Sequence, residues 1–128
     1  MKKLIAIVTG HRKWKKESAV YRELYKRRKK LILVIEGGAP GADTYANTGA
    51  KLLKIPTATF EANWGSLGLA AGPIRNTSML KFGTAMARAL KVKLIVLAFH
   101  KNLKESKGTK NMVGQARKKK VLVKVFSK

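Results

Sequence analysis

Five short apolar runs, separated by stretches of helical period, restrict this chain to a small set of folds. Residues 4–9, 31–35, 57–60, 94–99 and 121–126 are each four to six residues long and rich in Ile, Val, Leu, Thr and Phe. Runs of that length and composition read as strands buried on both faces, with 57–60 the weakest of the five. Between them the apolar residues fall at helical spacing. Val20, Tyr21, Leu24 and Tyr25 stripe a first helix, and Ala42, Ala46, Gly49, Ala50 and Leu53 a second. Met79, Gly83, Met86, Ala87 and Leu90 mark a third, and Met112, Val113 and Ala116 a short fourth. Strict alternation of strand and helix calls for right-handed crossovers. The expected architecture is α/β: one Rossmann-like three-layer domain over residues 1–128, built on a mostly parallel five-stranded sheet.

The size and composition agree. A chain of 128 residues with 45% hydrophobic content can bury a core of its own without cross-links. It has no cysteine, which excludes disulfides and thiolate metal sites and fits a reducing compartment, the cytoplasm by default. The apolar run after Lys3 ends at Gly10, too early for a signal segment or a membrane span, so membrane insertion is not expected. Lys and Arg number 29 against 6 Asp and Glu, a formal charge of +23. Much of it lies in runs at 12–16, 26–30 and 117–120. Such a field attracts polyanions, nucleic acid among them, but a solvated lysine-rich surface accounts for the runs equally well.

Chemistry in an open parallel sheet sits outside the carboxyl ends of the strands. This chain places its glycine and polar clusters there. Thr9-Gly10-His11-Arg12 follows the first strand, and Glu36-Gly37-Gly38-Ala39-Pro40-Gly41-Ala42-Asp43 follows the second and opens a helix. Glycines at such a turn let backbone N–H groups approach an anion, with the helix dipole assisting. The spacing is not the dinucleotide GxGxxG. After the third strand, Asn63-Trp64 leads to Ala71-Gly72-Pro73-Ile74-Arg75-Asn76, where Pro73 is expected at a first helical position and Arg75 and Asn76 in the first turn. A cation there is unfavourable unless an anion joins it, which makes Arg75 a candidate fork donor and Asn76 an orienting amide. Ser106-Lys107-Gly108-Thr109 precedes the last helix and offers hydroxyls and amides, or a plain N-cap.

Together these elements, with Met79 and Met112, resemble the YspA-like (DUF2493) branch of the SLOG superfamily, in order and over nearly the whole chain. The resemblance implies strand order 3-2-1-4-5 and a pocket for a nucleotide or nucleotide-derived ligand such as an ADP-ribose or NAD derivative, with no certain cofactor besides. The superfamily also holds the LOG phosphoribohydrolases and the DNA-processing protein DprA. The LOG enzymes carry a catalytic glutamate two residues after a Gly-Thr pair. Here that pair is Gly108-Thr109 and the position is Asn111, which cannot carry a proton. Any acid or base would come from Glu36, Asp43, His11 or His100. No metal site is expected, since two histidines without cysteine make a poor zinc site.

The expected ligand contacts are therefore Gly10, Arg12, Gly37, Gly38, Gly41, Asp43, Trp64, Arg75, Asn76, Ser106, Gly108 and Thr109, with Trp64 either stacking a base or capping the core. Binding of a phosphate-bearing, nucleotide-derived small molecule is the leading reading. A LOG-type hydrolase and a DprA-like nucleic-acid binder are the alternatives. Homo-oligomerisation stays open, and the location is cytoplasmic, that of a host if the chain is viral.

Overall fold

The computed structural model describes residues 2–128. Strands β1 (Leu4–Gly10), β2 (Leu31–Glu36), β3 (Thr57–Thr59), β4 (Lys93–Phe99) and β5 (Leu122–Phe126) form one all-parallel sheet in the order β3-β2-β1-β4-β5. Helices α1 (Glu17–Lys26) and α2 (Ala42–Leu52) cover one face; α4 (Ala71–Leu90) and α5 (Gly108–Lys118) cover the other. The expected α/β three-layer fold and strand order are both found.

Period-two alternation along each strand splits the core in two. Ala6, Val8, Leu97 and Phe99 pack beneath α1 and α2, while Ile5, Ile7 and Val96 meet Met79, Leu80 and Met112 from α4 and α5. Two stripe residues are exposed: Tyr25, which lies under the Arg28 guanidinium, and Leu90, at the end of α4.

Two further departures bear on the site. A four-residue helix, α3 (Trp64–Leu67), and a 3-10 turn at Gly68–Ala70 precede α4, where no element was expected; the Asn63 side chain accepts from Ser66 N and starts the short helix. In turn, α4 begins at Ala71, two residues earlier than Pro73 suggested. Proline is still tolerated there because first-turn N–H groups lack helical partners. Arg75 and Asn76 consequently occupy the second turn, not the first.

No helix among the described residues is long and apolar enough to cross a membrane.

Candidate functional site

The loop after β2 is held by the two carboxylates that flank it. Asp43, 5% exposed in the first turn of α2, turns back so that its Oδ2 accepts from Gly37 N (3.1 Å) and Ala39 N (3.3 Å). Glu36, 1% exposed at the end of β2, accepts from Gly38 N at 2.6 Å through Oε1, and from Asn47 Nδ2 and the Thr59 hydroxyl through Oε2. Among the described residues Glu36 pairs with no cation; three neutral donors hold it. The amides of Gly37 and Gly38, expected to face an anion, are thus occupied by the protein's own carboxylates, as is that of Ala39.

Gly38 and Gly41 adopt φ of +74° and +81°, which bends the chain into this turn and is costly for any side chain. A Cβ at Gly41 would also strike the His11 and Arg12 carbonyls, so the loops after β1 and β2 touch through bare backbone. Gly10 packs as closely against Ala42 and Phe99.

Arg75 and Asn76 bind this turn to the start of α5. Arg75 Nη1 donates to the Gly37 carbonyl over 2.7 Å and Nε donates to Asn76 Oδ1 over 3.0 Å. Asn76, buried, passes its Nδ2 hydrogens to the Gly108 carbonyl (3.1 Å) and Asn111 Oδ1 (3.2 Å). Gln115, one turn on, donates to the same Asn111 oxygen at 2.8 Å and accepts from Thr77. Asn111, Gln115 and Thr77 were not among the expected site residues. The i, i+4 spacing of Asn111 and Gln115 was the available signal, but only the approach of α4 to α5 gives it partners.

At the α5 end, Ser106 Oγ accepts from Thr109 N (3.0 Å) and Lys110 N (3.2 Å), the plain capping role that had been weighed against anion binding. Thr109 is buried and Gly108 open to solvent.

His11 and His100 meet as their neighbouring strands require, ring centroids 4.6 Å apart and edge to face. His100 Nδ1 accepts from Asn102 N at 3.0 Å, which leaves the proton of a neutral ring on Nε2. Burial, and next the adjacent His11, push the His100 pKa down, against an upward pull from Glu105. Burial drives Asp43 the other way, up to about 7, despite the Arg75 guanidinium and the two amide donors. Trp64 is 57% exposed and lays its ring edge over Gly72, so it does not cap the core. Arg12 is exposed and makes no side-chain hydrogen bond or ion pair among the described residues. Trp14, the one aromatic within a basic run, is buried against Phe99 and donates to the Lys16 carbonyl.

The residues expected at the site thus gather at one edge of the sheet. Arg75 and Asn76 join two of its loops directly, and the histidine pair sits where β1 and β4 end.

No curated protein matches the chain. The crystal structure of DNA processing protein A (DprA) from Streptococcus pneumoniae superimposes with a TM-score of 0.56 at 13% identity, over 98% of this chain and 59% of that one. The likeness is one of fold, and this chain spans about three-fifths of that protein. Residues 5–66, from β1 through Trp64, match the family described as YAcAr: YspA, cpYpsA-related SLOG family. The resemblance is thereby borne out over residues 5–66, which carry the motifs after β1 and β2 and the Asn63-Trp64 pair.

Proposed function

We propose that the chain binds a nucleotide-derived, phosphate-bearing small molecule, such as ADP-ribose or NAD, at the carboxyl ends of the strands. The observation that carries this reading is the Arg75 guanidinium. Two of its nitrogens are fixed, by the Gly37 carbonyl and the Asn76 amide, while Nη2 makes no hydrogen bond among the described residues. A half-buried guanidinium with Nε and Nη1 held in place and Nη2 left to donate is preorganised to receive a phosphate. The helix N-terminus at Ala42, the exposed Arg12 and the face of Trp64 border the same edge and suit an anion and a flat base.

Because the turn amides at 37–39 are taken by Asp43 and Glu36, Gly37 and Gly38 act in this reading by letting Arg75 and the carboxylates approach, not by touching phosphate themselves. The same contacts favour retention over cleavage by a carboxylate. Asn111 is an amide and Glu36 is saturated by three donors. Asp43 is committed to the turn.

Isothermal titration with ADP-ribose, NAD and nucleoside monophosphates tests the reading. At least one should bind, and Arg75→Ala should weaken it about tenfold or more. A folded protein that ignores the whole panel would sink it, and chromatographic detection of a cleaved product would replace binding with hydrolysis.

A further inference from the structure

The β5 side of the molecule carries a second feature that the strand-end site does not use. On the α1/α2 face, α1 is the last covering helix, because the β4-to-β5 crossover runs through α5 on the other side. The outer part of the sheet is left bare, and a groove of about 770 Å³ opens there between the end of α1 and β5. Its floor is apolar: Leu4, Ile95, Leu122 and Phe126, with Leu122 59% exposed and the Phe126 ring stacked on Phe99.

Six cations border this floor and a single carboxylate, Glu23. Glu23 is already bridged by Arg27 (2.9 Å) and Lys26 (3.3 Å). All three ion pairs among the described residues use Glu23, so Lys2, Lys30, Lys93 and Lys124 have no carboxylate partner there. Register fixes how two of these lysines sit. Ile95 pairs with Leu122; Lys93 lies two residues before the first and Lys124 two residues after the second, all on one face. Cation, apolar row and cation therefore succeed one another diagonally across β4 and β5.

From this alternation we infer that the groove binds single-stranded nucleic acid, with phosphates on Lys93, Lys124 and the flanking lysines and bases on the Leu122–Phe126 floor. Each unit of a single strand supplies one anion and one flat apolar face, the two features that alternate here. A duplex turns its base faces inward and leaves the floor unmatched. A second copy of this chain, at +23, is repelled. The inference stands apart from the proposed ligand at the carboxyl ends of the strands.

The test compares two doubly neutralised variants of equal net charge. Lys93→Gln/Lys124→Gln alters the groove; Lys51→Gln/Lys81→Gln alters exposed lysines on α2 and α4. Fluorescence anisotropy with a labelled single strand of roughly 12 nucleotides at about 0.1 M salt should show the groove pair binding at least about tenfold more weakly. Its salt slope should fall by about 1.4, two phosphate contacts' worth. The control pair should change less than about twofold. Equal losses in both variants would overturn the inference, as would equally tight, equally groove-dependent binding of duplex or of poly-glutamate. Acetylation of the wild-type lysines, mapped by mass spectrometry, checks the location without any variant. Lys93 and Lys124 should be shielded by the oligonucleotide, and shielding confined to other lysines would refute the site. ADP-ribose titration of the groove pair should be unchanged, so failure here leaves the strand-end reading untouched, and the converse holds.

Discussion

The Arg75 guanidinium reaches across 38 positions of sequence to donate to the Gly37 carbonyl at 2.7 Å, and it fits there only because residue 37 has no side chain. A Cβ on Gly37 would collide with Arg75 Nη1 and crowd Asp43 Oδ2. Gly37→Ala should therefore cost about 1–3 kcal/mol, read from urea unfolding midpoints. Adding Arg75→Ala removes the colliding group, so the double variant should recover about 1 kcal/mol relative to additivity. Strict additivity would show that the two residues do not share this space.

Asp43 sets a pH dependence. Its folded pKa of about 7 stands above the ordinary 3.8, so the folded state holds a proton that the unfolded chain releases earlier. The contribution to stability is complete below 3.8 and is lost as pH rises through about 7. Asp43→Asn keeps an oxygen for Gly37 N and Ala39 N but never ionises. Its stability curve should be flatter between pH 4 and 7 and should lie above the wild type at pH 8, by chemical denaturation across that range. A wild-type curve that rises over the same interval would contradict the assignment.

The histidine pair gives an NMR observable. His100 should titrate below the usual 6.5, because burial and His11 both oppose a second proton. Removing His11 relieves both influences, so His11→Ala should move the His100 midpoint upward. Its ring signals, followed by two-dimensional spectra through the acid range, report the change directly. An unmoved midpoint would separate the two rings energetically, whatever their 4.6 Å spacing.

Three helices end unusually. Lys54, Lys91 and Lys120 take left-handed φ of 59°, 56° and 59° just after α2, α4 and α5, where glycine is the ordinary residue. Lys91 closes α4 with its N–H on the Ala87 and Arg88 carbonyls. Lys91→Gly should keep that closure while relieving the Cβ strain, raising stability by about 0.5–1 kcal/mol in thermal or urea unfolding. A loss of stability would mean that the Lys91 side chain contributes more than its backbone strain costs.

The alternation of apolar runs with helical stripes was enough for the fold class, because a strand buried on both faces leaves a continuous hydrophobic signature that local composition preserves. The glycine and polar clusters likewise revealed which edge of the sheet carries the site, since strand ends are a matter of chain order. Partner choice was a different matter. Whether Asp43 faces a ligand or the amides of Gly37 and Ala39, and whether Glu36 meets a lysine or Thr59, depends on distances between segments far apart in sequence. The same holds for the Arg75–Gly37 and Asn76–Asn111 contacts, which exist only once α4 is laid across the sheet beside α5. Short-range sequence rules record which residues prefer a turn or a cap. Only tertiary packing decided which of these polar groups were consumed in holding the loops together, and which, like Arg75 Nη2 and the lysines along β4 and β5, were left with hydrogen bonds to give.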